Sequence, residues 1–299
     1  MRDILYEILA ALGGRLSLVA TAKVGAALGG IMWRCLPKRR RLASEALAFH
    51  LGLDSAAAAD LARQSFTHNA RSFLEIFFAR NLDWRFLQEQ VRIADPELFA
   101  TFLADPRPLV VATAHLGAWE LSGVLCRLCW RGRPRMVVVR RPSDAALHRT
   151  MLRLRSSSRV RILEHRNAVF PVLKGLKRKG VAAFLVDHNS GRDEAVFLPF
   201  LGKVAAVNSG PALLAVRAGA AVWPCFLLRE TREDGSAGFV FSLHPPLDTT
   251  ELAGSREEKI KDTAAFYTQA VEQAVRAHPE QWFWMHRRWK TRPPGEGEA

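Results

Sequence analysis

Cysteine is scarce in this sequence, and its spacing excludes two common kinds of cross-link. The chain has four cysteines in 299 residues, too few for a disulfide framework in a protein of this length. Cys126 and Cys129 form a Cys-x2-Cys pair, but no second pair accompanies it, so we do not expect a structural zinc site. The composition fits a reducing compartment that faces the cytosol.

Several catalytic signatures are also missing. The sequence contains no Gly-x-Ser-x-Gly elbow of a serine hydrolase. It has no Gly-x-Gly-x-x-Gly after a strand, no Walker A motif and no His-Glu-x-x-His pair. The adjacent Asp187 and His188 could suggest a metal pair, but neighbouring side chains at the end of a strand diverge. We therefore expect no bound metal and no bound cofactor.

Acidic residues are few relative to basic ones. Asp and Glu number 29 against 43 Lys and Arg, which gives a net charge of +14. Such a balance predicts an acidic partner, which could be nucleic acid, an anionic membrane surface, a phosphorylated substrate or an acidic carrier protein. Twelve arginines lie between 127 and 166, against only Asp144 and Glu164. Because guanidinium groups bind phosphate and carboxylate through two parallel hydrogen bonds, a phosphorylated substrate is a reasonable inference.

Long unbroken apolar runs are absent as well. Residues 16–33 are mostly apolar, but Lys23 interrupts them and three glycines weaken them as a helix. That length is near the lower limit for spanning a bilayer, and the basic cluster 37–41 follows directly. We predict that residues 1–36 form a membrane-anchoring or interfacial helix whose charges stay on the cytoplasmic side. The alternative is an amphipathic helix packed on the domain.

From residue 108 the pattern alternates between strands and helices, which predicts an α/β fold with a mostly parallel central sheet flanked by helices. Strands are predicted at 109–113, 135–140, 160–163, 181–186 and 221–228, with one more at 239–244. Helices are predicted at 118–130, 143–155, 168–179, 208–218 and 255–277. Before them, residues 42–80 are predicted to be helical with an aromatic face that includes Phe66 and Phe73, and 81–107 to be an irregular connector. We expect one domain over 37–292 and a disordered tail over 293–299.

The end of the first predicted strand carries the strongest candidate site. After 109–113 the chain reaches His115, turns through Gly117 and enters a helical pattern. Glu120, on the first helical turn, can reach back to the imidazole of His115 across this junction. A base and an orienting carboxylate would then lie at the carboxyl end of a strand, where open α/β sheets bind their ligands.

Two further residues belong to the same edge if the strands are parallel, and a third candidate, Asn208, lies at the start of a helix. Arg141 follows the second predicted strand, and Asp187 follows the fourth. Asn208 lies where an apolar loop, residues 196–202, leads to the N-terminus of a helix. Backbone N–H groups at such a terminus can bind an anion.

Six stretches, taken in order, resemble the late (secondary) acyltransferases of lipid A biosynthesis, the lauroyl and myristoyl transferases of the glycerolipid acyltransferase superfamily. They are His115-Leu-Gly-Ala-Trp-Glu120, Arg141-Pro142, Asp187-His188, Phe197-Leu-Pro-Phe-Leu-Gly202, Ala220-Ala-Val-Trp-Pro224 and Pro279-Glu-Gln-Trp-Phe-Trp-Met-His-Arg-Arg-Trp-Lys290. Two positions depart from the family pattern, since Ala118 stands where Asn is common and His188 where Gln is common.

The resemblance implies an enzyme on the cytoplasmic face of the inner membrane. It would move a fatty acyl chain from acyl carrier protein or acyl-CoA to a hydroxyl of a lipid A precursor of the Kdo2-lipid IVA type. His115 would be the general base and Glu120 its orienter. Arg141 or amides near Gly117 would bind the oxyanion or a phosphate. Asp187 and Asn208 join these as candidate substrate contacts.

The resemblance also implies binding partners, and it leaves the acceptor lipid open. The expected partners are acyl carrier protein, an anionic phosphorylated glycolipid and the membrane surface. Trp282, Trp284 and Trp289, beside basic residues, suit a membrane interface, although the same segment could instead pack over the sheet. The acceptor could also be another glycolipid, an ornithine lipid or a lysophospholipid. A non-catalytic nucleic-acid-binding protein is a distant alternative that the charge allows, but no recognised nucleic-acid module is present, so we expect no nucleic acid.

Overall fold

The structure is a computed structural model that describes residues 6–7, 11, 15–78, 83–130, 132–141, 144–156, 160–233 and 236–296. Most of the first 14 residues of the predicted anchor lie outside these ranges, as do Pro142 and residues 297–299 of the predicted tail. The predicted domain boundaries at 36 and 292 stay predictions.

The helices and strands follow one another in a largely alternating order after three N-terminal helices. The helices are α1 (Leu18–Cys35), α2 (Pro37–Leu51), α3 (Ser55–Phe78), α4 (Trp84–Gln90), α5 (Pro96–Ala104), α6 (Trp119–Cys129), α7 (Ala145–Ser156), α8 (Val169–Lys177), α9 (Gly210–Ala218) and α10 (Arg256–Ala277). The strands are β1 (Val91–Ile93), β2 (Leu109–Thr113), β3 (Arg135–Val139), β4 (Arg161–Glu164), β5 (Val181–Leu185), β6 (Ala195–Phe200), β7 (Lys203–Asn208), β8 (Ala221–Thr231), β9 (Ala237–Leu243) and β10 (Leu247–Asp248).

The central sheet is mixed but mostly parallel, which confirms the predicted fold class. Its strand order is β1-β9-β8-β2-β5-β3-β4, with β10 paired to β8. The five strands from β8 to β4 are parallel to their neighbours in that order. Only the pairs that β8 makes with β9 and β10 are antiparallel within this sheet. The carboxyl ends of the five parallel strands therefore lie along one edge.

The sheet is covered on both faces, as its buried strands require. Every residue of β2 is buried. Because side chains alternate along a strand, Val110 and Ala112 join the apolar core shared with α2, α3, α9 and α10. Leu109 and Val111 join a second core on the opposite face, under α5 and α6. The site edge is thus fixed between two packed layers.

The region from 81 to 107 differs from the predicted irregular connector, since it holds α4, β1 and α5. The Asp95-Pro96 pair is a helix start: the Asp95 carboxylate accepts the Leu98 N–H, and Pro96 occupies the first turn of α5. Asp83 caps α4 in the same way by accepting the Phe86 N–H. An Asp-Pro pair is compatible with a turn and with a capped helix, so the sequence pattern alone does not distinguish them.

The predicted apolar loop at 196–202 is instead a β-hairpin. Strands β6 and β7 pair antiparallel in register, with Phe200 opposite Lys203. The hairpin turns at Leu201 and Gly202, both of which have positive φ angles. Asn208 ends β7 and leads directly into α9, so the hairpin delivers Asn208 to the edge of the sheet that carries the candidate site.

Helix α1 packs along α3 through its glycines. A Cβ atom placed on Gly29 would lie 2.6 Å from the Thr67 Cα, and one on Gly25 would lie 2.9 Å from the Arg71 Cα. The glycines that weaken this helix in sequence are thus the residues that let the two backbones approach closely. Within the described ranges, no helix has the length and apolarity needed to cross a bilayer. The membrane association predicted for this segment stays a prediction.

Candidate active site

The site forms where two adjacent parallel strands end. Strands β2 and β5 pair in register up to Thr113 and Leu185. The segments that follow them therefore leave the sheet side by side, and they bring His115 next to Asp187. No helix places these two residues together, because the register of the sheet sets their distance.

His115 and Asp187 are joined by two hydrogen bonds. The His115 Nδ1 lies 2.9 Å from the Asp187 Oδ1. The backbone N–H of His115 donates to the other carboxylate oxygen, Oδ2, at 3.0 Å. The Asp187 side chain is completely buried, whereas the imidazole is 30% exposed. The carboxylate therefore lies beneath the ring, and the ring faces outward.

The Asp187 carboxyl group is held in its ionised form. Burial alone would raise its pKa, but the neighbouring His115, together with hydrogen bonds from His115 and Trp282, holds the pKa well below the usual range. An ionised carboxylate only accepts hydrogen bonds, so the proton of a neutral imidazole must be on Nδ1. The Nε2 atom then carries the lone pair that a general base needs.

Gly117 is required at the turn that follows His115. Its φ angle is +64°, and a Cβ atom there would lie 2.2 Å from the Leu227 carbonyl oxygen. Its N–H donates to the Gln281 carbonyl at 3.2 Å, and the Ala118 N–H donates to Leu227 at 2.7 Å. Both amides are therefore bound to protein carbonyls in this structure. The oxyanion role predicted for the amides near Gly117 stays a prediction.

Two cavities meet at Trp119 and Glu120, which line both of them. The larger one, about 540 Å³, is also lined by His115, Arg140 and Asn208 among other residues. The smaller one, about 120 Å³, lies between α6 and one face of the sheet. The lining of both is mostly apolar, but the larger cavity contains more charged side chains. Glu120 is therefore at the junction between the two cavities.

The predicted site residues occupy different parts of this arrangement. His115, Glu120 and Asn208 line the larger cavity, whereas Asp187 is buried behind the imidazole. Arg141 is exposed, and among the described residues the lining of the larger cavity includes its neighbour Arg140 instead. The structure thus brings His115 and Glu120 to one cavity.

Asn208 has a local structural partner. Its Oδ1 atom accepts the Gly210 N–H at 2.7 Å, at the start of α9. Pro211 follows in the first turn and has no N–H to offer. The N-terminus of α9 consequently presents fewer amides to an anion than the sequence pattern predicted.

His188 is a neutral member of the larger cavity. Burial and the nearby Arg140 lower its pKa to about 3. It is therefore uncharged at neutral pH. Within the part of the chain that the structure describes, no group of three or more His, Cys, Asp or Glu side chains could hold a metal ion.

The C-terminal segment contributes to the site in a way that the sequence pattern did not predict. The Trp282 indole N–H donates to the Asp187 Oδ2 at 2.8 Å. Trp282, Trp284 and Trp289 are all buried, so in this structure the segment packs over the sheet rather than presenting its tryptophans to a membrane. No spacing rule signals the Trp282–Asp187 contact, because the two residues are 95 positions apart.

A histidine–carboxylate pair lies at the carboxyl edge of a mostly parallel sheet, beside two adjoining cavities. This is an α/β arrangement that can carry out general-base chemistry. The comparison of sequences specifies the class further. The chain belongs to the bacterial lipid A biosynthesis acyltransferase family, whose family model matches residues 4–291.

Individual relatives share part of the chain. It is similar to the lipid A biosynthesis palmitoleoyltransferase of Escherichia coli K12, with 28% identity over 191 residues, which are 64% of this chain and 58% of that protein. It is also similar to the lipid A biosynthesis lauroyltransferase of the same organism, with 34% identity over 165 residues. These residues are 52% of this chain and 49% of that protein. These two matches span only about half of each relative. A phosphatidylinositol mannoside acyltransferase of Mycobacterium tuberculosis is 28% identical over 253 residues. These residues are 81% of this chain and 75% of that protein.

Proposed function

We propose that this protein is an O-acyltransferase that moves a fatty acyl chain from a thioester donor, acyl carrier protein or acyl-CoA, to a hydroxyl of a lipid A precursor of the Kdo2-lipid IVA type. The observation that carries the proposal is the His115–Asp187 pair beside two adjoining cavities, the larger of which also contains charged side chains. Membership of the lipid A acyltransferase family supports the same reaction.

The proposed reaction begins with removal of a proton. His115 Nε2 takes it from the acceptor hydroxyl, and the resulting alkoxide attacks the thioester carbonyl. The tetrahedral intermediate then expels the thiolate, and the imidazolium gives its proton to this leaving group. Asp187 keeps the Nδ1–H in place and stabilises the imidazolium. Glu120, which the sequence pattern predicted as the orienter, is the second candidate for this role.

The smaller cavity suits the acyl chain of the donor. Its volume of about 120 Å³ is near that of an apolar cavity of about 150 Å³ that holds a benzene ring. The cavity thus has room for the end of a fatty chain, while the rest of the chain runs along Trp119 and Glu120 toward His115. Burial of Cys126 and Cys129 raises the pKa of each thiol to about 12, so both line this cavity as neutral groups.

The larger cavity suits the head group of the acceptor. Arg140 and Arg166 line it together with the carboxylates of Asp193 and Glu194. Cations bind phosphate, and carboxylates accept hydrogen bonds from sugar hydroxyls. The net charge of +14 supports binding to an acidic carrier protein and to the anionic surface of the inner membrane on its cytoplasmic face.

An acyl-transfer assay tests the proposal. Purified protein is mixed with acyl carrier protein thioesters or acyl-CoA and a tetra-acylated lipid A precursor, and products are read by mass spectrometry. His115→Ala should lower the rate on the order of 10²–10⁴-fold, the usual size of a general-base effect. His278→Ala, at the end of α10, is the matched control and should retain activity. Full activity of His115→Ala would exclude the mechanism.

A second acceptor is favoured by one observation. The similarity to a phosphatidylinositol mannoside acyltransferase covers 81% of this chain, more than either lipid A enzyme described above. A mannosylated phosphatidylinositol is therefore included as a competing acceptor in the same assay. Transfer only to this lipid would change the acceptor and leave the proposed chemistry intact.

A further inference from the structure

Trp282 lies completely buried against the carboxylate that pairs with His115. Its indole Nε1–H donates to the Asp187 Oδ2 at 2.8 Å. The same oxygen accepts the backbone N–H of His115 at 3.0 Å. The other oxygen, Oδ1, lies 2.9 Å from the His115 Nδ1. Two donors on Oδ2 therefore fix the plane of the carboxylate so that Oδ1 faces the imidazole.

The backbone of Trp282 also makes several contacts. Its carbonyl oxygen accepts hydrogen bonds from the Ser65 Oγ at 2.6 Å and the Asn69 Nδ2 at 3.2 Å, both on α3. Trp282 also forms an isolated antiparallel bridge with Leu116. The indole therefore cannot shift away from Asp187 unless these contacts break.

The residues on either side of Trp282 hold the segment that carries His115. The Phe283 N–H donates to the His115 carbonyl at 3.0 Å, and the Gln281 carbonyl accepts the Gly117 N–H at 3.2 Å. The C-terminal segment 281–283 and the catalytic segment 115–117 are thus joined along their backbones. Asp187 receives its indole donor from the same short segment.

From this geometry we infer that Trp282 is a positioning residue: its indole N–H orients the Asp187 carboxylate, so that His115 keeps its proton on Nδ1 and its lone pair on Nε2. The inference rests on the proposed general-base role of His115. Without this donor the carboxylate can rotate about its terminal bond, and one buried acceptor site loses its partner. Each effect weakens the hydrogen bond that fixes the imidazole.

A purely packing role is the competing explanation. The Trp282 ring makes edge-on contacts with Phe200, Trp284 and Trp289 at centroid distances of 4.6–6.3 Å. A substitution that keeps an aromatic ring but removes the N–H separates the two roles. Trp284 provides a matched control in the same segment, because its indole N–H donates to the Pro279 carbonyl and not to a site residue.

Kinetics of Trp282→Phe and Trp284→Phe form the first test. Trp282→Phe should lower kcat about tenfold or more, the size expected for a hydrogen bond to a charged group. KM for both substrates should stay within about twofold, because the lost interaction does not touch them. Trp284→Phe should change kcat less than about threefold. Replacing Trp282 by benzothienylalanine, which keeps the bicyclic shape and removes only the N–H, should reproduce the loss if Trp282→Phe folds poorly.

A double-mutant cycle shows whether Trp282 acts through Asp187. In an Asp187→Asn background, Trp282→Phe should change kcat by less than about twofold, because the two changes disrupt one unit. Full multiplication of the two losses would overturn the inference. So would benzothienylalanine at 282 with kcat equal to that of the wild type.

Proton NMR provides a readout that needs no turnover. The downfield imidazole N–H resonance that disappears in His115→Ala reports the Nδ1–H bond to Asp187. It should shift or broaden in Trp282→Phe and stay in place in Trp284→Phe. An unchanged resonance in Trp282→Phe would overturn the inference by itself. If His115→Ala keeps full activity while the resonance responds as expected, the proposed general-base role of His115 fails and the positioning contact stands.

Discussion

His115 and Asp187 are 72 positions apart in the chain and share a buried hydrogen bond. The sequence pattern pairs His115 with Glu120 because the two face each other across a strand-to-helix junction. In the structure Glu120 lines the same cavity as His115, while Asp187 is bound to the imidazole Nδ1. Two carboxylates are thus candidates for one role, and their burial differs: Asp187 is fully buried, whereas Glu120 lies where the two cavities meet.

Substituting each carboxylate by its amide distinguishes them. Asp187→Asn should lower kcat on the order of 10²–10⁴-fold, because an amide at this position no longer enforces the correct tautomer. Glu120→Gln should cost less if Asp187 is the orienter. Steady-state kinetics of both variants, with thermal unfolding as a control for folding, check the prediction. A larger loss for Glu120→Gln would assign the orienting role to Glu120.

At the scale of elements, α3 connects the N-terminal helices to the site. The aromatic face predicted for this helix is only partly core: Phe66 is buried, but Phe73 is 44% exposed. Phe73 lines the larger cavity. The same helix also has a buried polar stripe, in which the Ser72 Oγ donates to the Gly117 carbonyl at 2.8 Å and the Glu75 carboxylate accepts a 2.6 Å hydrogen bond from Arg229 of β8. Aromatic spacing did not predict this polar stripe.

The packing of α1 on α3 gives a prediction at the same scale. Gly29→Ala should reduce the free energy of unfolding by about 1–3 kcal/mol, the usual cost of overpacking, because the added Cβ would lie 2.6 Å from the Thr67 Cα. Gly30→Ala is the control on the same helix. A Cβ there would meet only the end of the Arg34 side chain at 3.8 Å, so the variant should gain about 0.5–1 kcal/mol from helix propensity.

Denaturant unfolding of the two glycine variants measures both changes. Opposite signs would support a close contact between the α1 and α3 backbones. Equal stabilisation by the two alanines would contradict it, since helix propensity alone favours alanine at either position.

At the scale of the whole molecule, three largely buried histidines are neutral at pH 7. Burial, with Arg229 and Arg71 nearby, lowers the pKa of His68 to about 3. Burial also lowers the pKa of His188 to about 3 and that of His286 to about 4. In the unfolded chain a histidine titrates near pH 6.5, so below that pH the unfolded state binds more protons than the folded state.

Stability should therefore be greatest above about pH 6.5 and fall progressively as the pH decreases toward 4. Each buried histidine contributes at most about 1.4 kcal/mol per pH unit to the slope. Asp187, whose pKa is lowered by its partners, adds to the loss only below about pH 4. Denaturant unfolding between pH 7.5 and 5 measures the slope.

His68 isolates one of these contributions, because it lies on α3 and not in the catalytic segment. His68→Gln should flatten the dependence of unfolding free energy on pH. A slope that is the same in the wild type and in His68→Gln would exclude neutral His68 as a source of acid instability.

The sequence by itself determined the α/β class, the positions of the parallel strands and the place of His115 at the carboxyl end of one of them. Strong apolar periodicity and strand-to-helix alternation are local properties, so they can be read along the chain. The six matching stretches, taken in order, likewise indicated the family. The hairpin of β6 and β7 and the short strand β1 were missed, because their strand character depends on partners that are distant in sequence.

Only the tertiary structure decided what surrounds His115. The register between β2 and β5 places Asp187 against its ring, and the return of the C-terminal segment places Trp282 against Asp187. The glycines of α1, which lower its helix propensity, form its close contact with the backbone of α3. These relations depend on which elements become neighbours in space, and one-dimensional spacing does not encode distances between residues on different elements.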